Sequence, residues 1–139
     1  MDKTSELSGI LSKFFRWNKA RLTCFTHMLT ALFIVRTVNL SEIALAMGTN
    51  AKTSSRYKQL QRFFRYFIFD YDDIARWVLW LFGMKGKKIY LAIDRTNWCW
   101  GKLGINIFTL SVICGSVAIP IFWSILPKKV IHHLKNRGH

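Results

Sequence analysis

Apolar residues recur at spacings of three and four along the first quarter of the chain, a pattern that predicts amphipathic helices. One apolar stripe contains Leu7, Ile10, Leu11, Phe14 and Phe15. A second contains Leu22, Phe25, Leu29, Leu32 and Phe33. Because a period of 3.6 residues brings such positions to one side, we expect two helices within residues 4–37 that bury their aromatic side chains.

Residues 40–67 predict two more helices with a tight turn between them. Ser41 can cap a short helix, and Gly48-Thr49-Asn50 interrupts that helix before a longer one begins near Ala51 or Lys52. A short helix, a turn that contains glycine and a longer basic helix, in that order, are typical of a helix-turn-helix motif.

The longer of these helices separates its apolar and basic residues when it is drawn with about 100° per residue. The apolar face contains Tyr57, Leu60, Phe64 and Phe67. The opposite face contains Lys58, Arg62 and Arg65, with Lys52 and Arg56 on a flank. Ser54, Ser55 and Gln59 are further polar groups that could contact phosphates or base edges. Such a face can lie in a DNA major groove and neutralise phosphates, but it also suits the solvated side of an ordinary helix. The pattern leaves both interpretations open.

The charge of the chain favours a polyanionic partner. The 139 residues include 21 Lys and Arg against seven Asp and Glu, a formal net charge of +14. Residues 1–69 carry eleven basic and three acidic side chains, and residues 95–139 carry six basic ones and no acid. This excess excludes a neutral scaffold and indicates nucleic acid or an anionic membrane surface.

The cysteines and the amino terminus bear on localisation. Cys24, Cys99 and Cys114 are odd in number and share no short metal-ligand spacing, so neither a disulfide framework nor a zinc site is predicted. The first residues show no signal-peptide pattern. We therefore expect a cytoplasmic protein.

The second half of the chain changes from helical to strand periodicity. Asp70, Asp72 and Asp73 suit the first turn of a helix, and residues 83–88 suit a linker. Apolar runs at 89–93, 105–112 and 117–126, with a turn at Cys114-Gly115-Ser116, predict an antiparallel meander. The predicted class is α+β, with a helical region at 1–84, a second domain at 85–139 and a basic tail from Lys128.

The same region allows a second interpretation. Residues 103–127 carry no charged side chain and are flanked by lysines. As a single helix they would span about 37 Å, enough for a hydrocarbon core of roughly 30 Å. Polar residues, Gly115 and Pro120 argue against such a helix. A small basic membrane protein nevertheless stays an alternative at this stage.

Asp94 is the last carboxylate side chain in the sequence, and it follows the apolar run 89–93. We expect this run to be a strand buried on both faces. A buried carboxylate needs a partner, which could be Arg95, a lysine or a metal ion. Two-metal sites for phosphoryl transfer hold Mg²⁺ with two to four carboxylates, and no acid after Asp94 can supply a second ligand.

Several motifs together resemble one known family. They are IDRTNW at 93–98, IN at 105–106 and AIPIFW at 118–123, preceded by RLTC at 21–24 and RYKQLQRFFRYF at 56–67. In this order and spacing they resemble bacterial insertion-sequence transposases of the Asp-Asp-Glu type, the insertion-sequence-four group. The resemblance covers residues 10–129.

The resemblance implies a helical region that binds transposon-end DNA, followed by an RNase H-like catalytic domain that uses Mg²⁺ to cut and join DNA strands. By motif match Asp94 corresponds to the first catalytic Asp and metal ligand. The family's second Asp and its Glu have no counterpart here, and the pattern departs after Lys129. This implies a truncated transposase with only the first three strands of the catalytic domain, inactive by itself.

The predicted partner is double-stranded DNA at transposon ends, with a full-length transposase or another copy as a further partner. Lys52, Arg56, Lys58, Arg62 and Arg65 are the expected DNA-binding residues. A non-catalytic DNA-binding module that competes for transposon ends is the alternative from another class of function.

Overall fold

The structure, a computed structural model, describes residues 2–126, with Trp100 described by its backbone alone. Within this range five α-helices precede a three-stranded antiparallel sheet, which confirms the predicted α+β class. The chain divides into two compact units, a helical unit that ends at Asp70 and a sheet unit that begins at Tyr71. The basic tail from Lys128 and the departure from the family pattern after Lys129 lie outside the described residues.

The helical unit contains four helices. They are α1 (Lys3–Phe14), α2 (Lys19–Val35), α3 (Leu40–Ala46) and α4 (Thr53–Arg65). Asn18 caps α2 through its side-chain oxygen, which accepts from the Arg21 N–H. The cap of α3 is Asn39 rather than the predicted Ser41, because the Asn39 Oδ1 accepts from the Ser41 N–H at 2.9 Å. An oxygen at this position satisfies a backbone donor that the first turn leaves unpaired.

Aromatic rings form the core of the helical unit. Phe25 of α2 stacks on Phe63 of α4 with ring centroids 5.7 Å apart. Trp17, in the connection between α1 and α2, lies 4.4 Å from the Phe15 ring and 4.5 Å from the Phe67 ring. Offset and edge-to-face contacts of this kind add to the area that each ring buries. The core therefore ties α1, α2 and α4 together.

The buried face of α2 differs from the predicted stripe. Phe25 is buried as expected, but Phe33 is 79% exposed, whereas Cys24, Met28 and Ala31 are buried. Apolar residues surround α2 on nearly every side, so its sequence period does not select one face. The packing of the neighbouring helices selects it instead. Burial also raises the pKa of the Cys24 thiol.

The buried face of α4 differs by one position from the apolar face that the sequence predicts. Phe63 is 5% exposed and Leu60 is fully buried, whereas Phe64 is 47% exposed. Phe64 was expected on the apolar face, and that expectation was wrong for this residue. Phe63 is buried because its ring packs against the rings of Trp17, Phe25 and Phe67.

The described part of the sheet unit, residues 71–126, contains one helix and one meander. They are α5 (Tyr71–Leu81), β1 (Leu91–Trp100), β2 (Leu103–Cys114) and β3 (Val117–Leu126). The strand order is β1-β2-β3 with antiparallel pairing, so the predicted meander is confirmed. Gly115 has a φ of 61° in the turn between β2 and β3, a left-handed conformation that favours glycine.

The structure does not support a membrane-spanning helix at 103–127, because residues 103–126 form β2, β3 and their turn. Among residues 2–126 no single helix is long and apolar enough to cross a membrane. Taken together, α2 and α3 are long and apolar enough to cross a membrane by length and composition alone, but the two helices are bent by 101° relative to each other.

Packing groups α5 with the sheet. Val78 of α5 forms a small core with Val112 of β2 and Ile121 of β3, and Ile74 and Leu110 pack around it. The division of the chain by contacts accordingly falls after Asp70, earlier than the domain boundary predicted after residue 84. The predicted linker at 83–88 lies between α5 and β1, inside the sheet unit.

Candidate nucleic-acid interface

The candidate interface is built from α3, the connection at residues 47–52 and α4. The short helix α3 ends where the Met47 N–H donates to the Ile43 carbonyl at 3.0 Å. Gly48 follows, and Lys52 takes the N-cap position of α4 without a side-chain cap bond. The first backbone N–H groups of α4 therefore have no capping side chain at a positive helix end.

Arg56 holds this connection in place through hydrogen bonds to backbone carbonyls. Its guanidinium donates to four backbone carbonyls: Ala44 and Leu45 (3.3 Å each), Thr49 (2.6 Å) and Ala51 (2.8 Å). The Ala44 and Leu45 carbonyls belong to the last turn of α3, where a helix leaves acceptors unpaired and favours positive charge. Arg56, predicted as a DNA contact, is thus half-buried and holds α4 to α3.

Lys58, Arg62 and Arg65 form the exposed basic face of α4. The Arg62 Nε donates to the Lys58 carbonyl at 3.4 Å, and the Arg65 guanidinium lies 5.7 Å from the Tyr66 ring centroid. No acidic residue occurs between Glu42 and Asp70. In the part of the chain that the structure describes, none of the three cations forms an ion pair. Their charge is therefore available to an external anion.

Two shallow depressions flank the basic face. One, of about 630 Å³, is lined by Leu40, Lys58, Gln61, Arg62, Phe64 and Arg65. The other, of about 420 Å³, is lined by Ser41, Ala44, Leu45, Thr53, Ser54, Tyr57, Lys58 and Gln61. Lys58 and Gln61 line both.

Gln61 was missed in the sequence analysis, which named Ser54, Ser55 and Gln59 as the further polar groups. Gln61 follows Lys58 by three residues and precedes Arg65 by four, so the spacing alone could have placed it on the basic face. Lys52, at the N-cap of α4, is exposed as well.

Asp94 lies in a different setting from the one predicted. It is exposed within β1 rather than buried at a strand end, and its neighbour Ile93 is 69% exposed. The described core under α5 joins Val78 to Val112 of β2 and Ile121 of β3, so the apolar residues of β1 are not enclosed as the sequence pattern suggested. The partner of Asp94 is the Thr96 hydroxyl, whose Oγ1 donates to the Asp94 Oδ2 at 3.0 Å.

The described residues do not fit the Mg²⁺ site that the family resemblance implies. Among residues 2–126 no group of three or more His, Cys, Asp and Glu side chains could hold a metal ion. Mg²⁺ requires near-octahedral oxygen coordination, usually with more than one carboxylate in phosphoryl-transfer sites. Asp73, on α5, forms an ion pair with Arg76. Asp94 alone gives no such site.

Comparison with known proteins adds no relative to this description. No protein-family model matches the chain, and neither does any curated protein or solved structure. The functional interpretation therefore depends on the residues of the interface itself.

Proposed function

We propose that the helical unit binds double-stranded DNA through the basic face of α4. The observation that carries this proposal is the exposure of Lys58, Arg62 and Arg65 on one side of a helix, with no carboxylate partner among residues 2–126. Three such cations displace condensed counterions from DNA, and that release drives binding to phosphates.

The dimensions of α4 suit this role. Thirteen residues make a helix of about 20 Å, and a major groove about 12 Å wide admits an α-helix. The start of α4, which has no side-chain cap, and Lys52 at its N-cap position add donors for phosphate. Because Arg56 fixes α4 against α3, the pair supports a helix-turn-helix mode in which α4 enters the groove.

The transposase resemblance adds a class of DNA to this proposal. On that basis the chain occupies transposon ends in the cytoplasm, beside a full-length transposase or another copy, and its strands correspond to the first strands of an RNase H-like domain. Strand cleavage is not part of the proposal for these residues, since Asp94 belongs to no group of three or more possible metal ligands in the described range. The chain acts as a DNA-binding module.

Replacing Lys58, Arg62 and Arg65 together with alanine is expected to weaken DNA binding and its salt dependence. Each phosphate contact contributes about 0.9 to the slope of log affinity against log salt, so the slope should flatten by about 2 to 3. Fluorescence anisotropy with labelled duplex DNA at several salt concentrations measures this slope.

A matched variant replaces three other exposed cations of the helical unit, Lys13, Arg16 and Lys19, with alanine. It removes the same net charge from a different surface. We expect it to keep most of the wild-type slope. Equal slopes for the two triple variants would show that net charge, and not the basic face, attracts DNA. Absence of binding by the wild-type chain would refute the proposed function.

A second expected result concerns Mg²⁺. Incubation of the chain with duplex DNA and Mg²⁺ should give no cleavage, and Asp94→Ala should leave DNA affinity unchanged, because Asp94 is exposed, bonded to Thr96 and far along the sequence from α4. Gel analysis of end-labelled DNA tests both points. Mg²⁺-dependent cleavage that disappears in Asp94→Ala would contradict the assignment of a binding role alone.

A further inference from the structure

Gln61 is an uncharged polar side chain among the cations of the basic face. It is exposed and lines both depressions together with Lys58. Within the described part of the chain, no hydrogen bond engages its amide. Arg62 and Arg65 follow it along α4 by one and four residues and line the larger depression with it. In a helix that lies in the major groove with these cations on phosphates, the Gln61 amide is an uncharged group of the same face that can reach base edges.

We propose that Gln61 recognises the adenine of an A·T base pair in the major groove. The amide has one donor group and one acceptor oxygen, and adenine presents the matching pair, the N6 donor and the N7 acceptor. Lysine and arginine only donate, so they suit phosphates and guanine rather than adenine. This inference rests on the proposed DNA binding and adds sequence selectivity to it.

The neighbouring depression favours the same base pair. Leu45 of α3 lines it beside Gln61 and is 66% exposed. In an A·T pair the thymine carries a methyl group into the major groove, and apolar side chains contact that methyl. An amide for adenine and an apolar surface for thymine thus lie side by side.

The test selects bound sequences from a randomised duplex DNA library with the full chain and with Gln61→Ala. The wild-type chain should enrich a motif, and in Gln61→Ala one A·T position should lose a preference of about tenfold or more, while the other positions persist. Competition between duplexes that differ only at that position then gives the fold-change directly.

Gln59→Ala is the matched control, because Gln59 is exposed on the same helix but lines neither depression. It should retain the motif. Gln61→Arg should shift the preference at the same position toward guanine, whose N7 and O6 accept from a guanidinium. Both Gln61 variants change an exposed helical position, and circular dichroism verifies that they fold.

The outcomes separate this inference from the proposed function. A wild-type chain that binds duplex DNA with a steep salt dependence but enriches no motif overturns the role of Gln61 and leaves DNA binding intact. An unchanged motif in Gln61→Ala does the same. A wild-type chain that binds no DNA overturns both.

Discussion

Replacing Arg56 with alanine should lower the free energy of unfolding of the helical unit by about 3 kcal/mol. The side chain donates to four backbone carbonyls, and hydrogen bonds from a charged donor contribute roughly 1.5–3 kcal/mol each when they are well formed. Two of the four are long, at 3.3 Å, and all share one half-buried guanidinium, so the contributions do not add fully. Denaturant unfolding followed by circular dichroism measures the loss.

Arg56→Lys distinguishes the guanidinium from its charge. A lysine keeps the positive charge at the end of α3 but has one ammonium in place of a planar fork, so it cannot bond all four carbonyls. We expect Arg56→Lys to recover less than half of the lost stability. Lys58→Ala, two positions along the same helix at an exposed site, should change stability by less than about 0.5 kcal/mol. An Arg56→Ala variant as stable as Lys58→Ala would show that the four bonds contribute nothing.

The same variant separates positioning from phosphate contact. If Arg56 acts by holding α4, then Arg56→Ala should weaken DNA binding while the salt slope stays near the wild-type value. Loss of a direct phosphate contact would instead flatten the slope by about 0.9. The measurement is made under conditions in which the variant remains folded.

Arg56 illustrates what the sequence could predict about the interface. The order of α3, a glycine-containing connection and a basic helix follows from Gly48 and the spacing of apolar and basic residues, and the structure contains these elements. The role of Arg56 does not follow, because its acceptors are backbone carbonyls that come together only when the connection folds. Every residue has a backbone carbonyl, so the pattern of side chains does not indicate which carbonyls will accept hydrogen bonds from an arginine.

Asp94 shows the opposite limitation. The apolar run before it predicts a strand, and β1 does form there. An apolar run does not say what covers the strand. The described core under α5 involves β2 and β3, and Asp94 on β1 is exposed. The local sequence pattern thus predicted the strand β1 and its antiparallel pairing. The burial of Asp94 depends on residues that pack against the strand, and the local pattern does not contain them.

Phe63→Ala is expected to have the largest effect on stability, a loss of about 3–5 kcal/mol. The Phe63 ring is 5% exposed and contacts the rings of Trp17, Phe25 and Phe67, at centroid distances of 6.0, 5.7 and 5.0 Å. Alanine would leave a cavity where α2, α4 and the connection after α1 meet. Small domains are stable by only about 0.05–0.15 kcal/mol per residue, so this loss would remove much of the stability of the helical unit.

Phe64→Ala provides the control for Phe63→Ala because it removes the same side chain one position later. Phe64 is 47% exposed, so its truncation should cost about 1 kcal/mol or less. The sequence-based prediction expects the larger stability loss for Phe64→Ala, since it places Phe64 on the apolar face of α4. Chemical denaturation of the two variants therefore decides whether Phe63, as in the structure, or Phe64, as predicted from sequence, is the buried residue. A Phe64→Ala variant that loses more stability than Phe63→Ala would show that α4 is rotated about its axis, which would also turn Gln61 and the basic face away from their described positions.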